Sequence, residues 1–338
     1  MKGKDRIKAA FENEAVDRIP VGSGSVMIRD YIERTGASFP EFHKDPELMA
    51  RISMLVSHDA GLDNVVIPFG MVNQAHALGV DVEWGNWEIG TKPSPKNHLD
   101  DPKEAKTENI ADDDVIRTIV EAAKITVEES PDRLTTPLVS GPVTVAGHLV
   151  GTEKLMAMTI KDPEQAEEWF KIAAESAKKE IKALSEVGVE GIYYCDPTAS
   201  GDLLSPKYYN DIVKDVVTDV VDYAHSRGIY LELHICGKSE EILEYMAETG
   251  ADSLHIDQKV DLVDARKRAG DDVCLAGNVE PAKMTKDYSE VLKEAGESIA
   301  KGADYLKPGC GSPTGTKPKN LKALVRAAKR CCFHGKRV

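Results

Sequence analysis

Gly191-Ile-Tyr-Tyr-Cys195 and Ile229-Tyr-Leu-Glu-Leu-His-Ile235 are short runs of β-branched and aromatic residues, and residues 206–227 between them carry apolar side chains at helical spacing. A strand, a polar turn and a helix leading back to a strand make one βα unit. The same rhythm extends in both directions. Further strand-like runs lie at 134–139, 253–256, 273–276 and 303–306, and helical segments at 163–187, 239–249 and 288–300. Asp162-Pro163 and Ser205-Pro206 open two of these helices with a short polar cap and a proline whose missing N–H is harmless there. Gly188, Gly228, Gly250, Gly270 and Gly302 stand where helices should end.

Two earlier runs, 18–21 and 64–68, bring the strands to about eight, which predicts an α/β fold of the (β/α)8 TIM barrel type with an N-terminal helical segment. An open doubly wound sheet is the alternative. The strand count and the absence of a Gly-x-Gly-x-x-Gly run after any strand favour the closed barrel. Residues 1–338 read as one barrel domain. Residues 81–131, with Trp84, Trp87 and Asp112-Asp113-Asp114, exceed a minimal βα unit and read as an insertion of a hairpin and helices near the barrel mouth.

Composition narrows the function. With 41% hydrophobic and 30% charged residues the chain can build an ordinary globular core. Its 43 Lys and Arg against 57 Asp and Glu give a net charge of -14, which repels nucleic-acid phosphates and anionic lipid surfaces. No apolar segment is long enough to span a bilayer, and the N-terminus lacks the apolar stretch of a secretory signal. A cytoplasmic setting follows as the expectation, and there the 6 scattered cysteines remain thiols available to a metal.

His234 and Cys236 stand two residues apart at the end of a strand, so their side chains share a face. In a parallel barrel the C-terminal strand ends surround the active site. The last strand is followed by Gly309-Cys310-Gly311, and the glycines allow the turn that aims the Cys310 sulfur inward. One imidazole and two thiolates suit zinc, and three protein ligands leave a fourth position open, as in catalytic rather than structural zinc sites. A thiol bound there would be held as thiolate, so the set fits thiol alkylation. Cys195 and Cys274 lie inside strands and read as core, while Cys331 and Cys332 adjoin near the end of the chain, away from any strand end.

These residues carry a resemblance to the uroporphyrinogen decarboxylase superfamily, and within it to the methylcobamide:coenzyme M methyltransferases. It spans nearly the whole chain: Asp17-Arg-Ile-Pro-Val21, Val66-Ile-Pro-Phe-Gly-Met71, Ala77-Leu-Gly79, Cys195-Asp-Pro-Thr-Ala-Ser200, Leu233-His-Ile-Cys-Gly237, His255-Ile-Asp257, Leu275-Ala-Gly-Asn-Val-Glu-Pro281 and Pro308-Gly-Cys-Gly311. The resemblance implies zinc on His234, Cys236 and Cys310, a small thiol such as coenzyme M as acceptor, and a methylated corrinoid delivered by a separate corrinoid protein. It also implies an SN2 transfer in which the thiolate attacks the methyl carbon and cob(I)amide leaves. The chain carries no Asp-x-His-x-x-Gly cobalamin signature, in keeping with a corrinoid that arrives on a partner.

Two alternatives stand beside this reading: a tetrapyrrole decarboxylase, and a corrinoid-linked transferase with a non-thiol acceptor such as tetrahydrofolate. The decarboxylases grip their substrate with an Arg-rich segment after the first strand, whereas Val21-Gly-Ser-Gly-Ser-Val-Met-Ile-Arg29 holds a single Arg. Asp257 reads as a residue that completes the metal shell, orients a ligand or caps a helix, and Asp196 as a further acid at the mouth or a turn residue. Asn278 reads as a cofactor-binding or turn residue. Lys307 and Arg29 are the cations weighed for an anionic acceptor.

Overall fold

The computed structural model describes residues 1–24, 27–67, 70–86, 92–108 and 110–331. Trp87 and Cys332 lie outside the described residues. Seven strands form one parallel sheet in chain order: β1 (Asn64–Ile67), β2 (Leu134–Ser140), β3 (Gly191–Cys195), β4 (Tyr230–Ile235), β5 (Ser253–Ile256), β6 (Cys274–Val279) and β7 (Tyr305–Pro308). Nearly every strand residue is buried, because helices cover the outside of the sheet and side chains fill its inside. The registers Cys195↔His234 and His234↔His255 set three strand ends level at one rim.

The 18–21 run closes the barrel through a single ladder bridge, Val21↔Leu306. Leu306 N donates to Pro20 O (2.9 Å), and on the other side Asp63 N donates to Val21 O (2.7 Å). A longer strand does not form here because Pro20 has no N–H and the Val21 N–H goes to the Asp63 carboxylate (2.8 Å) instead of a carbonyl. That carboxylate also receives Arg6 Nη1 (2.6 Å) and both terminal nitrogens of Arg18 (2.8 and 2.9 Å). The Asp17-to-Val21 motif therefore closes the sheet. Pro137 sits in β2 where pairing changes hands: residues up to Pro137 pair with β1 and those from Leu138 pair with β3.

The N-terminal helix Gly3–Phe11 packs under the barrel, where Ile7 and Phe11 join Leu134, Cys274, Ala276 and Tyr305 in a buried cluster. Asp162 and Ser205 cap their helices as expected, accepting from Gln165 N and Tyr208 N. The helix after Ser205 contains a π-helical turn, Tyr209–Val213, before it continues as Lys214–Ser226. Within the expected insertion, Val82–Glu83 pairs antiparallel with Ser94–Pro95 to give the hairpin. Helix Asp114–Glu129, capped by Asp113, is buried on its inner face and is the barrel's own helix between β1 and β2. The added material thus ends near residue 112.

Candidate metal centre

His234 is the penultimate residue of β4, Cys236 follows the strand by one residue, and Cys310 follows β7 by two. The chain leaves both strands through glycines in close contact. Gly237 has φ 81°, and a Cβ there would lie 2.6 Å from Ser200 Oγ and 2.7 Å from Asp202 Oδ2. A Cβ on Gly309 would lie 2.5 Å from the Gln258 amide nitrogen. Only a bare backbone lets these loops approach closely enough to bring the sulfurs in.

One nitrogen of His234 and the sulfurs of Cys236 and Cys310 lie within 4.8 Å of one another. The His234 ring is fully buried, and its Nδ1–H donates to the His255 carbonyl (2.9 Å), which makes Nε2 the free lone pair. Nε2 is itself buried without a hydrogen-bond partner. A dehydrated acceptor nitrogen beside two thiols fits a soft divalent cation, since a native core otherwise satisfies such groups. The hydrogen bond from Cys236 and the nearby imidazole hold the Cys310 thiol far below its ordinary range. The same bond, together with burial, pushes Cys236 up, so the pair shares one proton.

The other residues singled out from sequence support the rim. Asp257 is buried, with Oδ2 accepting from Gly237 N (2.9 Å) and Oδ1 from Lys259 N (2.8 Å), so it ties the loop after Cys236 to its own. The Asn278 amide donates to the carbonyls of Asp257 (3.1 Å) and Val260 (2.8 Å), bracing that same loop. Asp196 is fully buried and accepts from Val143 N, Thr144 N and Thr144 Oγ1 at the start of helix Pro142–Val150. Burial raises its pKa to about 6. Its carboxylate is not among the donors that converge with His234, Cys236 and Cys310, while its backbone N donates to the His234 carbonyl (2.8 Å). Lys307 is buried in an ion pair with Glu232, its ammonium 4.4 Å from the Tyr193 ring centre and 5.2 Å from that of Tyr305. Its ammonium is thus committed to Glu232 and these two rings inside the barrel. Arg29 is exposed at the start of helix Arg29–Arg34. Cys195 and Cys274 are both buried, as expected of core thiols.

Sequence reading assigned no role to Tyr193, Glu232 or His255, which pack together beneath the thiols. Tyr193 Oη contacts His255 Nδ1 (3.0 Å), and the Tyr193 and His234 rings stack with centres 5.6 Å apart. The signal was the alternation in β4: Glu232 stands two residues before His234 and therefore faces the same interior.

A parallel barrel with an imidazole and two thiols converging at its C-terminal rim is an enzyme architecture with a set of side chains that could hold a metal ion. Residues 2–331 match the uroporphyrinogen decarboxylase (URO-D) family, and the chain belongs to that family. It is 32% identical over 333 residues to a methylcobamide:CoM methyltransferase, MtaA, of Methanosarcina barkeri, covering 96% of each chain. It is 27% identical over 329 residues to a methylated-thiol–coenzyme M methyltransferase of Methanosarcina mazei, covering 96% of this chain and 88% of that one. The solved structure of a methyltransferase from Methanosarcina mazei superposes with a TM-score of 0.92 at 31% identity, over 99% of this chain and all of the other. Among the described residues no helix is long and apolar enough to cross a membrane.

Proposed function

We propose that this chain is a zinc-dependent methyltransferase that moves a methyl group from a methylated corrinoid, carried by a partner protein, to a small thiol such as coenzyme M. The observation that carries the reading is the convergence of His234, Cys236 and Cys310 within 4.8 Å, with Nε2 of His234 buried and unpartnered. Its setting supports the reading, in a chain 32% identical to a methylcobamide:CoM methyltransferase. Zinc on these three residues would act as a Lewis acid that keeps the acceptor's sulfur anionic near neutral pH.

The protein's own groups supply the rest. The His234 tautomer is fixed by the His255 carbonyl, so no reorganisation is needed to present Nε2. Asp257 holds the loop that carries Cys236, and Asn278 holds the loop that carries Asp257. In the transfer the acceptor's sulfur bonds to the methyl carbon as the carbon–cobalt bond breaks, and that bond's electron pair leaves with cobalt. The barrel mouth orders the approach of sulfur and methyl carbon. Lys238 and Lys259 stand at this rim beside Asp202, with side chains 77% and 56% exposed. They give an otherwise acidic protein a locally basic place for a corrinoid protein to dock. A reducing, cytoplasmic setting keeps both thiols free.

The test is metal content and methyl transfer measured together. Wild type should carry one zinc per chain and demethylate methylcobalamin with a thiol present, and Cys310→Ala should lose both properties. Uroporphyrinogen turnover that survives His234→Ala would overturn the reading in favour of a decarboxylase.

A further inference from the structure

We propose that His255 is a positioning residue that couples the two halves of the metal centre and sets the distance between Cys236 and Cys310. The inference rests on the reading of His234, Cys236 and Cys310 as one site. His255 lies on β5 in register with His234 on β4, and its carbonyl oxygen accepts from His234 Nδ1 (2.9 Å). Its ring reaches the other half: Nε2 lies 2.7 Å from the carbonyl of Pro308, two residues before Cys310. A carbonyl can only accept, so Nε2 carries the proton. Nδ1 is then the acceptor, and the Tyr193 hydroxyl donates to it (3.0 Å).

The carbonyl and both ring nitrogens of this one residue are committed, two of the three to opposite halves of the centre. Strand order makes this more than a restatement of the ladder. β5 and β7 are separated by β6, so the ring-to-Pro308 bond crosses the barrel interior and fixes a point that β6–β7 pairing fixes only from one side. Past Pro308 the chain has just Gly309 before the sulfur, so a shift of that carbonyl passes directly to Cys310. The ring is fully buried. The imidazole rings of His234 and His255 lie 4.3 Å apart, so a smaller side chain at 255 would also loosen the ring of His234.

The backbone carbonyl survives any substitution at 255, so variants test the ring's contacts while leaving the acceptor for His234 Nδ1 in place. His255→Gln retains a donor near Nε2, and His255→Leu does not. Zinc affinity, read by competition with a chromophoric chelator, should fall roughly 10- to 100-fold in His255→Leu and stay near wild type in His255→Gln. The cobalt-substituted Leu variant should show weakened sulfur-to-cobalt charge transfer. A third measurement needs no metal: dibromobimane should bridge Cys236 to Cys310 readily in metal-free wild type and the Gln variant, and slowly in the Leu variant, by peptide mass mapping. A folded His255→Leu with wild-type affinity, spectrum and bridging overturns the proposal. If that variant does not fold, Tyr193→Phe, which keeps the ring and removes the donor to Nδ1, takes its place and must lower both affinity and bridging. Wild type that binds no metal would refute the site, while the bridging measurement would still decide the role of His255.

Discussion

Replacing Lys307 with Met separates two uses of a buried cation. The Lys307 and Glu232 side chains are 2% and 5% exposed and pair with one another, and the ammonium also lies over the faces of Tyr193 and Tyr305. Methionine keeps most of the apolar stem, so packing changes little, but it leaves the Glu232 carboxylate in a low-dielectric interior without its cation. Breaking such a pair from one side costs about 3–5 kcal/mol, whereas removing both charges together is close to neutral. Lys307→Met should therefore lose about that much stability at neutral pH in urea unfolding, out of a typical total of about 5–15 kcal/mol. Glu232→Met should lose a similar amount. The double variant should return to within about 2 kcal/mol of wild type, a coupling of several kcal/mol. The KM for the thiol acceptor should change by less than about threefold in any of these variants that remains folded. A single variant that loses under about 1 kcal/mol, or a raised KM at unchanged stability, would show that Lys307 meets the acceptor and that this electrostatic reasoning fails.

Glu180 is fully buried, with neither carboxylate oxygen hydrogen-bonded, and burial raises its pKa from 4.5 to about 8. Below 4.5 both folded and unfolded chains hold the proton; above it the unfolded chain releases it first, so stability should fall from about pH 4.5 and level off above about pH 8. Glu180→Gln should flatten that slope in unfolding experiments run across this range, and an unchanged slope would assign it to other groups. Gly237→Ala must place a Cβ at φ 81° against Ser200 and Asp202, and should cost about 1–2 kcal/mol in stability and weaken zinc binding, measured by chelator competition. Asp257→Ala frees two backbone N–H groups and should lower zinc affinity while Asp257→Asn, which still accepts from one, lowers it less; equal effects would argue for direct ligation. Asp63→Ala leaves Arg18 without its carboxylate and the Val21 N–H without an acceptor, and should lower the urea midpoint by more than any other single change at the barrel seam, with Arg6 retaining Asp17 and Arg18 the Ile19 carbonyl as partners.

Much of the architecture was legible because βα units write their periodicity into the chain. The strands at 191–195, 253–256 and the helix at 288–300 coincide with the observed elements. The first stave was legible as a run but not as a bridge, since its ladder is cut short by Pro20 and by a carboxylate 42 residues away. Helix Asp114–Glu129 was absorbed into the expected insertion because the hairpin before it hides where the regular unit resumes. At the site, His234, Cys236 and Cys310 were readable from residue type and their places at strand ends. Asp257, Asn278 and Lys307 were noticed for their chemistry, but their partners are carbonyls, amides and a carboxylate on other strands, which no local pattern specifies. His255 stood in a motif of the family resemblance but its role was not legible there, because its importance lies in what it joins across the interior.

The helix packed beneath the barrel has a consequence for traffic. With Ile7 and Phe11 seated against Cys274 and Tyr305, the lower end is corked by hydrocarbon. Glu232, Lys307 and His255 therefore lie in a side-chain-filled interior between that cork and the thiols at the rim. Shaving the helix back would let water in from below, and the inner charges should register the flood before the rim does.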